Sequence, residues 1–122
     1  MILVDTSVWI DHLRAGDAEL VRRLNAGQVL AHAFVLGELA LGNLQRRETV
    51  LDAMRCLPQA VVARDEEVMQ FIDRHRLFGL GIGHIDAHLL AAARLSDAAI
   101  WSRDKRLNAV CERLSLAAII DG

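Results

Sequence analysis

The sequence is poor in the residues that mark disulfide-rich and disordered proteins. It contains two cysteines and one proline, and it has no tyrosine. Cys56 and Cys111 stand alone in apolar helical stretches without a C-x-x-C spacing, so we expect reduced core thiols and neither a disulfide nor a metal site. Hydrophobic residues make up 53% of the 122 positions, which excludes a disordered chain and allows a substantial core in a single domain, residues 1–122.

Long apolar runs and a strong net charge are also absent. No run approaches the ~20 residues that a membrane-spanning helix needs. Asp5 interrupts the first apolar residues, which lack the basic stretch and small-residue cleavage site of a secretory signal, so we expect a cytoplasmic protein. The formal net charge of -2 argues against a protein that coats nucleic acid, but it allows an enzyme whose acidic site and basic rim cancel.

Short apolar runs alternate with helical patterns along the chain. This alternation predicts an α/β fold, with a mainly parallel four- to five-stranded sheet flanked by helices. The glycines within residues 79–83 lack the spacing of a phosphate-binding loop and predict a flexible connection. Strands are expected over residues 2–5, 29–31, 61–63, 98–101 and 116–120. Helices are expected over residues 6–14, 33–43, 46–57, 85–95 and 105–113, the first of them capped by Thr6 or Ser7. Two further helices are expected to begin after caps at Asp17 and Asp65.

Four carboxylates stand in apolar surroundings, where an isolated negative charge is costly. Asp5 ends the first expected strand, and Asp104 follows AAIWSR, just past another strand. Asp86 lies in the first turn of IDAHLLAAA, and Glu38 is the only charged residue in AFVLGELALG. Ligands of parallel α/β sheets bind beyond the carboxyl ends of the strands, and helix N-termini face the same edge. We therefore expect the four side chains to meet in one cleft.

Clustered negative charges repel one another, and no lysine or arginine lies inside these apolar stretches to neutralise them. A hard divalent cation is the natural partner, because an all-oxygen ligand set suits Mg²⁺ or Mn²⁺ better than Zn²⁺. Water activated by such a cation beside a phosphodiester is a hydrolytic nucleophile. The alternative is four separate structural carboxylates that act as helix caps or surface residues.

The segments VDTSVWID, VLGELALG, IDAHLLAAAR and WSRDKRL, in this order, resemble the four acidic motifs of PIN domains, and more narrowly those of VapC toxins of bacterial toxin–antitoxin pairs. The resemblance covers essentially the whole chain. It implies a PIN-like α/β fold and a Mg²⁺-dependent endoribonuclease that cuts structured RNA such as tRNA or rRNA. It also implies a homodimer that a VapB-like antitoxin inhibits. The residues that correspond to the acidic metal-binding set are Asp5, Glu38, Asp86 and Asp104, with the hydroxyls of Ser7 and Ser102 orienting them or bound water.

Several other polar residues have less specific interpretations. His84 and His88 are spaced to bind Zn²⁺, but the glutamate of H-E-x-x-H enzymes is absent, so we expect surface or cleft-edge histidines. Asp11 is expected to be a surface or salt-bridge residue. The basic concentrations could be RNA phosphate contacts or solvated helix surface, and they comprise Arg46, Arg47, Arg103, Lys105 and Arg106.

Rival functions come from within and outside the nucleases. A PIN-type nuclease could act in RNA processing or on DNA. A non-enzymatic acidic α/β module, such as a phosphoacceptor receiver domain, would need a strand-end Asp near mid-chain and a Lys late in the sheet, and the sequence offers neither convincingly. Intact acidic residues argue against a PIN-like interaction domain that has lost activity.

Overall fold

The computed structural model describes residues 1–120, and within them three parallel strands form one sheet. The first strand, β1 (Ile2–Val4), lies between β2 (Val29–Leu30) and β3 (Ala99–Trp101). Leu3 pairs with Leu30 on one side and with Ile100 on the other. Because both neighbours run parallel to β1, all three strands end at the same edge, and the expected α/β architecture is confirmed.

Within residues 1–120 the sheet has three strands and not the predicted four to five, with single bridges at its margins. Gln59 forms a parallel bridge with Ala31, and Ala117 forms one with Ile100. The expectation of a strand over 61–63 is therefore wrong, and 116–120 contributes one paired residue. Val61 is exposed, and its N–H donates to the hydroxyl of Ser96 at 2.9 Å instead of to a neighbouring strand.

Helices connect and cover the strands. Asp17 caps the second helix as expected, because its carboxylate accepts from the N–H of Leu20 at 2.9 Å. The other expected caps are wrong: Asp5 and Arg64 occupy the cap positions of their helices, and Asp65 is the first helical residue. The helices within residues 1–120 are α1 (Thr6–Ala15), α2 (Ala18–Asn25), α3 (Ala33–Leu41), α4 (Arg47–Arg55), α5 (Asp65–His75), α6 (His84–Leu95) and α7 (Lys105–Arg113). Within this part of the chain, none of them is both long and apolar enough to cross a bilayer.

The helix α6 is the most enclosed of these elements, since every residue from Ala87 to Ala93 is buried. On one side Ala87 and Ala91 pack against Val68 of α5, while Leu89 and Leu90 enter the main core beside the sheet. Small alanine side chains let two neighbours approach closely. The position of the first turn of α6, which carries Asp86, is therefore set by packing along the rest of the helix.

Arg103 links the loop after β3 to two helices. Its guanidinium donates to the carboxylates of Asp11 on α1 and Asp17 at the start of α2. The hydrogen bond from the N–H of Leu20 lowers the pKa of Asp17 below its usual value. Burial of the carboxylate opposes this shift, and the hydrogen bond and positive charge of Arg103 add to it. These contacts hold the segment before α7 against the N-terminal part of the chain.

Substitution of Leu89 by alanine tests the packing of α6. Its side chain is 0% exposed, and Leu→Ala at such a position costs about 2–5 kcal/mol of unfolding free energy, measurable by urea denaturation. Leu95 on the same helix is 47% exposed, so Leu95→Ala serves as the matched control, with a change within about 0.5 kcal/mol. Equal losses for the two variants would contradict this packing.

Asp17→Asn tests the charge of Asp17 separately from its cap, because asparagine also caps helices. A carboxylate with a lowered folded pKa stabilises the fold above its unfolded pKa of about 3.8, and this stabilisation is lost as pH falls through the folded value. We expect the variant to lose less unfolding free energy than the parent on acidification from about pH 5. Asp17→Ala should in addition lose about 0.5–2 kcal/mol at pH 7. Identical acid profiles for parent and Asp17→Asn would contradict the charge contribution.

Candidate functional site

The four acidic side chains singled out in the sequence lie at one edge of the sheet. Asp5 follows β1 and is the N-cap residue of α1, and Asp104 follows β3 and is the N-cap residue of α7. Asp86 lies in the first turn of α6, and Glu38 lies in the second turn of α3. Each residue is therefore placed by the end of a strand or the beginning of a helix, which is where parallel α/β folds bind ligands.

Asp5 is the most enclosed of the four, with 7% of its surface exposed. Its Oδ2 accepts hydrogen bonds from the hydroxyls of Ser7 at 2.7 Å and Ser102 at 2.8 Å. Its Oδ1 has no hydrogen-bond partner among residues 1–120, so one oxygen is fixed by the protein while the other is available to a ligand. A buried carboxylate held in this way is suited to binding a cation.

The two serines also connect Asp5 to the chain around Asp104. The hydroxyl of Ser102 accepts from the N–H of Asp104 at 3.0 Å, and that of Ser7 accepts from the N–H of Arg103 at 3.0 Å. Each hydroxyl thus donates to the carboxylate and accepts from backbone, which orients its proton toward Asp5. These are the contacts that a positioning role for Ser7 and Ser102 requires.

Asp86 reports the electrostatics of the cleft. Burial raises its pKa, and the negative charges of Asp5, Asp104 and Glu38 raise it further, while a hydrogen bond from the N–H of Gly83 opposes them. That bond reaches Oδ2 over 3.1 Å. The other three carboxylates therefore lie near enough for their charges to disfavour the ionised form of Asp86. Within residues 1–120, however, no three of the four place ligand oxygens within 4.8 Å of one another, so they line one edge without forming a closed ligand set. No lysine or arginine in the described part of the chain pairs with any of them, and an oxygen-rich edge of this kind has the chemistry of a site for a hard divalent metal ion.

The sequence predicts apolar surroundings for Glu38 and Asp104, but both side chains are exposed at the mouth of the cleft. Glu38 accepts a hydrogen bond from the hydroxyl of Thr6 at 2.8 Å, and Asp104 caps α7 by accepting from the N–H of Leu107 at 2.9 Å. Apolar neighbours such as Val35, Leu39 and Trp101 are buried, whereas Leu41 is 90% exposed. Sequence spacing alone does not show which side of a helix faces the core.

Two of the supporting groups described next are not predicted by the sequence, and the third is one of the two thiols expected in the core. The other thiol, Cys56, is exposed, so that expectation is wrong for it. Thr6 is predicted only as a helix cap, yet its hydroxyl donates to Glu38. Asn108 donates to the backbone carbonyl of Ser102 at 2.8 Å, one turn after the start of α7. Cys111 is buried, and burial together with the charges of Asp5 and Asp86 raises the pKa of its thiol to about 12, so it is a neutral wall behind the carboxylates. The polar residues in the segments TS and RLN are the sequence signals that could have indicated Thr6 and Asn108.

The five basic candidates for RNA contact fall in different places. Arg46 lines a groove of about 600 Å³ that also contains Glu38, and Arg47 donates to the carbonyl of Ala40. The guanidinium of Arg103 is engaged by Asp11 and Asp17, so the salt-bridge expectation for Asp11 is confirmed. Lys105 and Arg106 line a separate cavity on α7.

Arg106 also packs against the glycine-rich loop. Gly81 has a φ of +78°, and a Cβ there would lie 2.8 Å from Nη1 of Arg106. Glycine is favoured at this position by its backbone conformation, and a larger residue would also require the Arg106 side chain to shift. The loop before α6 is thereby in contact with α7.

The two histidines of α6 lie in unlike environments. His84 is exposed, as expected, but His88 is 2% exposed, so the expectation of a surface or cleft-edge residue is wrong for His88. The reason is that α6 is covered along most of its circumference, so its inner face includes this position. Within residues 1–120, the one set of three His, Cys, Asp or Glu ligands with all ligand atoms within 4.8 Å consists of Asp65, His84 and His88.

Comparison with known proteins agrees with this architecture. Residues 2–113 match the family model described as the PIN domain. The chain is 48% identical over 118 residues to Ribonuclease VapC32 from two strains of Mycobacterium tuberculosis, CDC 1551 / Oshkosh and ATCC 25618 / H37Rv, covering 96% of this chain and 95% of the relative. The resemblance stated from the four acidic motifs is thereby confirmed, and the chain belongs to the PIN-domain family.

Proposed function

We propose that this protein is a metal-dependent endoribonuclease of the VapC type, the toxin of a toxin–antitoxin pair. The observation that carries the proposal is the carboxylate cleft, in which Asp5 is held by two hydroxyls and the pKa of Asp86 is raised by burial and, further, by three neighbouring acidic groups. The 48% identity to a protein named Ribonuclease VapC32 supports an RNA substrate and a toxin role. No comparable observation favours DNA cleavage or a receiver-like module.

The residues that would hold Mg²⁺ or Mn²⁺ are Asp5, Glu38, Asp86 and Asp104. A cation bound there would neutralise charge at the phosphate and activate water for attack. Ser7 and Ser102 keep Asp5 in one orientation, and the N–H of Gly83 does the same for Asp86. Because α6 and α7 both begin at the cleft, the positive ends of their helix dipoles favour the anionic substrate there.

The proposed substrate is structured RNA, tRNA or rRNA, approaching along the groove beside Glu38. Of the five candidates, Arg46 is the one that lines this groove together with Glu38, so it is the best placed to contact a phosphate there. Lys105 and Arg106 follow Asp104 at the start of α7 but line a different cavity, and Arg47 donates to the carbonyl of Ala40. Arg103 would contact RNA only by exchanging its carboxylate partners.

The proposed protein partners are a VapB-like antitoxin and a second copy of the chain. An antitoxin that covers the groove beside Glu38 would block access to the carboxylates. Apolar groups line this groove, among them Ile10, Leu13 and Leu39, and they would pack against such a partner. The complex and the homodimer are proposed to form in the cytoplasm.

The nuclease proposal is tested by Asp5→Asn in a cleavage assay with purified protein, tRNA or rRNA and Mg²⁺. Loss of even an outer-shell partner of a metal costs about 10- to 100-fold, so loss of this ligand should reduce the cleavage rate by at least about 100-fold. EDTA should abolish cleavage by the parent, and added Mg²⁺ or Mn²⁺ should restore it. Cleavage at the parental rate by Asp5→Asn would refute the mechanism.

The matched control is Asp52→Asn, which removes an exposed carboxylate that pairs with Arg55 on α4, away from the cleft. We expect it to cleave RNA at the parental rate. The toxin role is measured separately: induced expression of the parent should halt bacterial growth, whereas expression of Asp5→Asn should not. Unchanged growth with an active enzyme would remove the toxin role and keep the nuclease.

Asp86→Asn tests the mutual repulsion of the carboxylates. A carboxyl group whose folded pKa is raised favours its neutral form, so ionisation of Asp86 at neutral pH destabilises the fold and a neutral amide should relieve this. We expect a higher melting temperature for the variant than for the parent in EDTA. Mg²⁺ at about 100 times its Kd should stabilise the parent by about 2.7 kcal/mol, and the variant by less. A lower melting temperature of Asp86→Asn in EDTA would contradict the repulsion.

A further inference from the structure

A second cluster of metal-ligating side chains lies outside the carboxylate cleft. It consists of Asp65, His84 and His88, which offer one ligand atom each, all within 4.8 Å of one another. Nε2 of His84 lies 3.2 Å from Nε2 of His88, and Oδ1 of Asp65 lies 3.6 Å from that same atom of His88. Two imidazole nitrogens and one carboxylate oxygen are therefore near enough to one another to bind the same metal ion.

The fold explains why these three residues meet. His84 and His88 are the first and fifth residues of α6, a spacing that places them one above the other on the same helix face. Asp65 is the first residue of α5, which packs along α6 through Val68, Ala87 and Ala91. The cluster thus joins the N-terminal ends of two adjacent helices.

The separations match those of ligands around a tetrahedral metal. With bonds of about 2.0–2.1 Å to nitrogen and 2.0–2.2 Å to oxygen, tetrahedral ligands lie roughly 3.3–3.5 Å apart. The observed 3.2 and 3.6 Å bracket this value. Small side-chain rotations would complete the geometry, since His84 and Asp65 are both exposed.

From this geometry we propose that Asp65, His84 and His88 form a binding site for a divalent transition metal, with Zn²⁺ as the ion it fits best. The site is separate from the all-oxygen cleft, because imidazole ligands suit Zn²⁺ and disfavour Mg²⁺. His88 supplies a rigid ligand, since it is almost fully buried and its ring packs against Phe34 with centroids 4.6 Å apart. Because the side chains of Asp65 and His84 are exposed, the ion can reach the site from solvent, and a water molecule would occupy the fourth ligand position.

The site has a consequence for the cleft, because Asp86 lies between the two histidines in the same stretch of helix. A metal bound to all three ligands would tie the beginning of α5 to the turn that carries Asp86. It would therefore restrain that turn whether or not RNA or Mg²⁺ is bound. The inference does not depend on the proposed nuclease activity.

The test is calorimetric titration of Zn²⁺ into the purified, chelator-treated full chain. We expect one Zn²⁺ to bind per chain through this cluster, and His84→Ala to weaken that binding by more than the roughly 10- to 100-fold that outer-shell partners contribute. Asp65→Asn should weaken it as well. Both residues are exposed, so these variants should fold, as melting temperatures in EDTA would verify. The matched control is His75→Ala, at the other end of α5, which should bind Zn²⁺ as the parent does.

Two further measurements separate this site from the carboxylate cleft. Co²⁺ in place of Zn²⁺ should give the intense visible absorption of a four-coordinate site in the parent and in Asp5→Asn, and should lose it in His84→Ala. The absence of Zn²⁺ binding would overturn the proposal and would identify the two histidines as a hydrogen-bonded pair. Zn²⁺ binding that Asp5→Asn abolishes and His84→Ala leaves unchanged would equally overturn it. Neither result would affect Mg²⁺-dependent RNA cleavage by the parent, which tests the nuclease proposal alone.

Discussion

The hydrogen bonds that hold the buried carboxylate of Asp5 are the constraint on which the rest of the cleft depends. A charge at the end of the central strand is tolerated there because Ser7 and Ser102 donate to it. The backbone N–H of Asp5 also donates to the carbonyl of Trp101 at 2.9 Å, so its main chain belongs to the sheet. The position of one carboxylate therefore fixes the start of α1 relative to the loop that leads to Asp104.

Packing of α6 sets the second half of the arrangement. Its run of buried alanines and leucines lies against both the main core and α5, and so fixes where the helix begins. That beginning carries Asp86 toward the cleft and the histidines toward Asp65. Asp86, which belongs to the proposed oxygen-rich metal site, and His84 and His88, which belong to the proposed zinc site, thus lie within five consecutive residues of one helix.

The elements with strong local signals could be predicted from the sequence. α7 has the predicted bounds of 105–113, and the carboxylate of Asp17 caps α2 as expected. The placement of the four acidic residues toward one edge could also be predicted, because strand ends and helix starts of a parallel sheet share an edge; their role as a metal site stays a prediction. These predictions needed only periodicity, capping chemistry and the general topology of α/β folds.

Features decided by tertiary contacts could not be predicted in this way. The valines near residue 61 have strand propensity, yet Ser96 takes the backbone N–H of Val61 and no neighbouring strand pairs with it. His88 looks like a polar surface residue in the sequence but is buried because α6 is covered on several sides. The role of Thr6 depends on Glu38, a partner far along the chain that single-sequence patterns do not reveal. The role of Asn108 depends on the direction of the backbone carbonyl of Ser102, which only the fold determines.

The long separation along the chain between Asp5 and the hydroxyl that holds it has a consequence for protein synthesis. Asp5 and Ser102 are 97 positions apart, so β1 leaves the ribosome long before its partner β3 exists. Contacts of such high sequence separation form late in folding. The carboxylate cleft cannot assemble on a nascent chain until translation has passed Asp104, and a partially synthesised molecule therefore lacks the complete ligand set.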